Sequence, residues 1–363
     1  MTQEELMGKA QTVLGLIDAN ALGVVLPHEH ILIDIKSHFT YLRPTEASQM
    51  AMAYQPVTLE NLSWIRFHPL GNLDNMTALP EEVLIKEVMF YKMAGGNTIC
   101  DLTCTSSMHR DPLGLTRIAR ATGVNIIVGS GIYEVYTGYE DPRTEEDLTD
   151  EMVREITVGI GDTGVRAGII GEIGCSWPLS EHQRKVLRAC AGAQKRTGAA
   201  INIHPPIKAP TREEHEEAIL EVIQVLSDAG TDLSRTIISH MDLCCLTPAF
   251  RRKLADTGCY LEYDVFGWEG YLPREVHLAD TLNDAQRVNE IMQLIAEGYL
   301  NQILVASDHC MKIMFRTYGG WGYDHILTNA VPLMRHKGMS DEQIHALLVE
   351  NPKRILPFAP VKD

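Results

Sequence analysis

Residues 23–30 read Gly-Val-Val-Leu-Pro-His-Glu-His, an apolar run that closes on two histidines, His28 and His30. Side chains at i and i+2 of a strand leave on the same face, so the two imidazoles are aimed at one region of space. A buried parallel strand of an α/β barrel ends this way, apolar along its length and polar where it reaches the mouth. The reading turns on whether the pattern recurs.

It recurs along the whole chain. Short apolar runs stand at 23–27, 98–102, 125–129, 168–173, 200–204, 236–240, 259–264 and 302–307. Helical patterns fill the stretches between them, as at 180–197 and 212–229. In the second of these, Ile219, Val222, Ile223 and Leu226 share one face, while Glu213, Glu214 and Glu217 lie at the N-terminal end, where a helix dipole favours acids. Eight strands each followed by a helix predict an α/β fold, a (β/α)8 TIM barrel in a single domain spanning 1–363. The length leaves room for an insertion after strand 1. Residues 32–84 fit it: they carry Tyr41, Tyr54, Trp64 and several prolines, show no strong period, and are expected to cap the barrel mouth. A doubly wound sheet would usually place a glycine-rich turn after the first strand, and none is present there.

At 363 residues and 45% hydrophobic, the chain can bury a large core. A formal net charge of −16 argues against nucleic acid or an anionic membrane surface as partner. No apolar run approaches the length of a membrane span. The opening Met-Thr-Gln-Glu-Glu-Leu lacks the basic and apolar regions of a signal peptide. The eight cysteines form no CxxC pair, which suits reduced thiols, so a cytoplasmic setting is expected.

The carboxyl ends of the strands carry the chemistry. Strand 1 ends in His28 and His30, strand 4 in Glu172, strand 5 in His204, strand 6 in His240 and strand 8 in Asp308. Taken singly, each has an ordinary structural role: a hydrogen-bonded core histidine, an ion-pair partner, a helix N-cap. Together they form four imidazoles and two carboxylates at the mouth where barrel enzymes keep their active sites. That donor set suits divalent transition metals, Zn²⁺ first, with Mn²⁺, Co²⁺ or Ni²⁺ as alternatives. Six ligands exceed the needs of one catalytic zinc and fit two ions sharing a carboxylate.

The same residues resemble the phosphotriesterase family of the amidohydrolase superfamily, and within it the phosphotriesterase-related proteins. The matching stretches include Gln11-Thr-Val-Leu-Gly, His28-Glu-His, Gly168-Ile-Ile-Gly-Glu-Ile-Gly-Cys-Ser-Trp-Pro-Leu, Gly258-Cys-Tyr-Leu-Glu-Tyr-Asp, His325-Ile-Leu-Thr-Asn and Glu350-Asn-Pro-Lys. The resemblance implies a binuclear site in which His28, His30 and Asp308 hold the buried metal, His204 and His240 the exposed one, and Glu172 bridges. Many relatives bridge with a carbamylated lysine where Gly171 stands here. Glu172, one residue later, would face the other way in a regular strand, so either a local bulge at the glycine swings it inward or the strand shifts to bring it in, and the glycine favours the bulge. The implied chemistry is hydrolysis by a hydroxide bridging the metals, with Asp308 as catalytic proton acceptor.

The resemblance points to a small-molecule substrate: a carboxylic ester, a lactone, or an N-acyl amide such as an acetylated amino or sulfonic acid. Phosphotriester hydrolysis and a non-catalytic ligand-binding barrel are the alternatives. The proton-relaying histidine that triesterase members place after strand 7 has no counterpart in Glu262-Tyr-Asp-Val-Phe-Gly-Trp-Glu. Candidate pocket residues are Tyr133, Trp177, Phe266, Trp268, His309, Lys312, Arg316 and Trp321, with Lys312 or Arg316 available to hold a remote anion. Homodimers are common in the family, and the sequence shows no signature of one. A Schiff-base aldolase would need a strand-end lysine, and none of the eight runs ends in one.

Overall fold

The computed structural model describes residues 1–39, 43–135, 138, 140–244, 246–269 and 281–361; Tyr41 and Cys245 lie outside the described residues. A short antiparallel hairpin, β1 (Lys9–Thr12) and β2 (Gly15–Asp18), leads into the barrel. Its strands are β3 (Val25–Glu29), β4 (Thr98–Asp101), β5 (Asn125–Ser130), β6 (Ile169–Gly174), β7 (Ile201–His204), β8 (Thr236–Ile238), β9 (Tyr260–Tyr263) and β10 (Ile303–Val305). They pair in chain order, every pair parallel. Each expected run overlaps one of them, and β3, β5 and β6 extend past the expected end by one or two residues. The two ends of the order meet where the Asp308 N–H donates to the His28 carbonyl at 3.2 Å.

Each strand is followed by a helix: α1 (Glu81–Met93), α2 (Pro112–Thr122), α3 (Glu145–Thr157), α4 (Glu181–Thr197), α5 (Arg212–Asp228), α6 (Pro248–Ala255), α7 (Asp284–Ala296) and α8 (Val331–His336). The boundaries follow local chemistry. The Ser180 hydroxyl accepts from the Gln183 N–H to open α4, and Gly198 closes that helix at φ +72, where a Cβ would be strained. Among the described residues no helix is long and apolar enough to cross a membrane.

Three apolar clusters divide the molecule. Val25, Cys100, Ile127, Ile169, Ala200, Ile237, Tyr260 and Leu304 fill the barrel interior, plugged by Ala10, Leu22, Ile355 and Leu356. Alternate strand residues, among them Leu26, Ile99, Ile201, Leu261 and Val305, pack outward against the helices. A third cluster gathers Ile33, Ile35, Phe39, Ala53, Leu62, Ile65 and Met76 against Met108, Tyr133, Met311 and Met314. It belongs to the chain between β3 and α1, which folds into short helices at Ala47–Ala53 and Leu62–Phe67 and sits over the mouth. The helix α1 begins at Glu81, inside the 32–84 stretch.

Candidate metal centre

Two of the eight strands break register just before their ligands. Regular alternation would send His28 and Glu172 toward the helices, because Leu26 and Ile170 already point there. The β3–β4 register slips between Leu26 and Glu29, and the β6–β7 register slips between Ile170 and Ile173. At the second slip Gly171 takes φ +128, and its peptide to Glu172 is cis. A Cβ at Gly171 would stand 2.4 Å from the Asn202 carbonyl oxygen, so only glycine lets the strand turn there. His240 and Asp308 reach the centre through left-handed backbone instead, at φ +58 and +44. On β7, plain alternation brings Asn202 and His204 to the inner face.

The six predicted ligands converge. Glu172 Oε1 lies 2.8 Å from His204 Nδ1, 2.9 Å from His240 Nε2 and 3.6 Å from His28 Nε2. Its other oxygen is 3.8 Å from His30 Nε2. Asp308 Oδ1 is 3.3 Å from His30 Nε2 and 3.9 Å from His28 Nε2. All six side chains are buried. Their donor atoms form overlapping groups, His28–His240–Asp308, His28–His30–Glu172 and Glu172–His204–His240, each within 4.8 Å.

A carboxylate layer lies beneath and fixes the rings. Asp264 accepts from His240 Nδ1 at 2.9 Å and from His28 Nδ1 at 3.0 Å. Glu262 accepts from His28 Nδ1 at 3.1 Å, from the Ser239 hydroxyl at 2.8 Å and from the Asn202 amide at 2.9 Å. With the Nδ1 protons given to carboxylates, the Nε2 lone pairs of His28 and His240 face the centre. His28 Nε2 is buried there with no hydrogen-bond partner. His240 Nε2 meets His204 Nδ1 at 2.7 Å and Glu172 Oε1 at 2.9 Å, three atoms each able to offer a lone pair. Such a convergence is unfavourable without a proton or a cation between the atoms.

The electrostatics agree. Burial lowers the imidazole pKa values, but Glu172 and Asp264 outweigh it and hold His28 and His240 well above their ordinary range. Burial and the neighbouring His240 push His204 down. Burial would raise Glu172, yet His28 and His204 hold it well below the usual carboxylate range. The carboxylates thus draw positive charge into the site, and divalent cations on this donor set would supply it in place of protons. The residues fit the metals that the sequence implies.

Above the donors lies a cavity with about 780 Å³ of empty space, part of it open to solvent. Ile33, Ile35, Pro69 and Leu70 of the cap line it, together with Tyr133, Ile207, Leu243 and Trp268. His38 also lines it, its pKa lowered by burial. Tyr133 stands edge-on to His204 at 5.1 Å.

Of the expected pocket residues, Tyr133 and Trp268 reach this cavity and the other six do not. Phe266 is fully buried. His309 turns away and bonds to Glu29 at 2.8 Å. Lys312 pairs with Asp74 of the cap at 2.7 Å, and Arg316 pairs with Asp324. Their charges are therefore spent on loop architecture, and the anion-holding role expected of them is not supported by the structure. Trp177 is 39% exposed on the surface, and Trp321 borders a separate cavity beside α7. The residues that the strand-end reading passed over are Glu262 and Asp264. Their i, i+2 spacing at the end of β9 is the same signal that exposed His28 and His30.

The Phosphotriesterase family matches the chain over residues 8–356. A phosphotriesterase-related protein of Nematostella vectensis is 39% identical over 356 residues, 97% of this chain and 99% of its own. The N-acetyltaurine hydrolase of Xenopus tropicalis is also 39% identical, with the same coverage, and that of Homo sapiens 38%. Among solved structures, a resiniferatoxin-binding protein from Rhodobacter sphaeroides superimposes with a TM-score of 0.89 at 31% identity, covering 97% of this chain and 96% of its own. A lactonase from Listeria monocytogenes shares the fold with a TM-score of 0.75 at 23% identity, covering 96% and 99%.

Proposed function

The chain belongs to the phosphotriesterase family, and from that premise we propose that it is a binuclear metal-dependent hydrolase acting on carboxylic ester, lactone or N-acyl amide bonds. The observation that carries the reading is the set of six buried donors at the ends of five strands, gathered around Glu172. His28, His30 and Asp308 would hold one cation, His204 and His240 the other, and Glu172 would join them. When bound, two such ions lower the pKa of a water and polarise a substrate carbonyl oxygen.

The chain's own residues supply the rest. Asp308 would take the proton given up during attack and return it to the leaving group. Asp264 and Glu262 hold the imidazole tautomers, so that ligand lone pairs stay aimed at the centre. The apolar wall of Ile33, Ile35, Leu70 and Tyr133 suits an uncharged acyl group and keeps bulk water from the reacting carbonyl. The N-acetyltaurine hydrolases at 38–39% identity support an N-acyl amide as the first substrate class to try.

A second reading, a binding barrel without catalysis, draws on the resiniferatoxin-binding neighbour. The complete donor set speaks against it, because a binder has no use for two clustered cation sites. Protein loaded with Zn²⁺, Mn²⁺ or Co²⁺ should hydrolyse members of a panel of N-acyl amino acids, esters, lactones and phosphotriesters, and a chelator should abolish turnover. Loaded protein that binds such ligands but turns none of them over would leave the binding barrel.

A further inference from the structure

Asp308 holds a left-handed backbone, φ +44, without the freedom of glycine. Such a conformation persists when its surroundings over-determine it. Here one side chain takes the N–H groups on both sides. Glu29 accepts from the Ser307 N–H at 2.9 Å through one oxygen. Through the other it accepts from the His309 N–H and from His309 Nδ1, each at 2.8 Å. Asp308's own N–H goes to the His28 carbonyl at 3.2 Å.

Glu29 is fully buried and lies between the two histidines of the opening motif, facing away from them into the seam where β3 meets β10. A buried carboxylate is unfavourable unless donors surround it, and three converge here. Three consecutive residues at the end of β3 therefore do two jobs: His28 and His30 face the centre, and Glu29 grips the backbone that presents Asp308.

We propose that Glu29 is the positioning residue for Asp308, setting where its carboxylate stands relative to His28 and His30. The proposal rests on Asp308 serving as ligand and proton acceptor, as assigned above. Glu29→Gln keeps the size but turns an amide NH2 toward a donor, so at least one of the three bonds is lost.

The test compares Glu29→Gln in the wild-type and Asp308→Asn backgrounds, with Co²⁺ affinity measured by chelator competition. In the wild-type background affinity should fall about 10–100-fold, and kcat by a similar factor with KM nearly unchanged. In the Asp308→Asn background the same change should do nothing further. His309→Phe, which removes only the side-chain donor, should give a smaller loss that also vanishes there, and it carries the test if Glu29→Gln does not fold. An equal loss in both backgrounds, or none in the wild type, overturns the proposal. Affinity does not depend on turnover: loaded protein that hydrolyses nothing, with losses that still fail to add, would refute the reaction and leave the positioning role standing.

Discussion

Replacing Gly171 by alanine should disable the site without touching a ligand. The structure gives two separate penalties. A side chain at φ +128 is strained by about 1–3 kcal/mol whatever the space around it. The new Cβ would also stand 2.4 Å from the Asn202 carbonyl oxygen, about an ångström short of ordinary contact, so β6 must move by that much. Overpacking of this kind adds about 1–3 kcal/mol, which places the total loss of stability near 2–6 kcal/mol. Glu172 is the next residue, and its Oε1 lies 2.8 and 2.9 Å from two imidazole nitrogens. A shift of about 1 Å exceeds the roughly 0.5 Å that such a constellation tolerates, and a fall in kcat of about 10²-fold is expected.

The assay pairs urea unfolding with elemental analysis of bound metal and turnover on the best substrate. Gly258→Ala is the control, because Gly258 has φ +89 but nothing within 4 Å of the place a Cβ would take. It should lose only the backbone part, about 1–3 kcal/mol, and keep its metal and its kcat. A Gly171→Ala protein with full metal content and wild-type turnover would refute the argument that this glycine turns Glu172 inward.

Four further outcomes are expected. Asp308→Asn should fold normally and lose about 10²–10⁴-fold in kcat, as for removal of a proton acceptor; near-normal turnover would remove that role. Metal loading should be independent of added bicarbonate, since Glu172 is a ready-made carboxylate; a bicarbonate requirement for loading would contradict it. Asp264→Asn should weaken binding of both ions about 10–100-fold, because one carboxylate orients both His28 and His240; a loss confined to one ion would count against that. Burial pushes the Asp284 carboxyl up, but His325 and the Gly267 N–H outweigh it and hold it below the usual range. A depressed folded pKa stabilises above the unfolded value and is lost as pH falls through the folded one. The urea midpoint of Asp284→Asn should therefore trail wild type most at neutral pH and converge with it in acid, whereas a pH-independent gap would contradict the assignment.

The barrel was legible because parallel strands buried on both faces must be continuously apolar, and because polar groups at their ends break that run abruptly. His204 could be placed by counting alone. Glu172 could not: alternation assigns it to the wrong face, and only the presence of Gly171 before it hinted at the register slip. His28 conceals a second slip, invisible because the two-residue spacing to His30 survives it. Lys312 and Arg316 stayed open between holding an anion and an ordinary packing or surface role for a different reason. A sequence shows a charge but not its partner, and Asp74 and Asp324 come from elsewhere in the chain. Asp264 and Glu262 were hidden among strand residues whose polarity had no evident use until the rings above them were in view.

The cap's apolar cluster shares no buried member with the two clusters beneath it. Its contact with the barrel runs through Cys104, Met108, Tyr133, Met311, Ile313 and Met314, and the three thioether side chains among them tolerate replacement of their neighbours. Substitutions at Ile33, Ile35, Leu62 or Ile65 can therefore reshape what enters the cavity while the six donors keep their places. In a lineage carrying this arrangement, the cavity wall is free to drift under selection while the six donors are inherited whole.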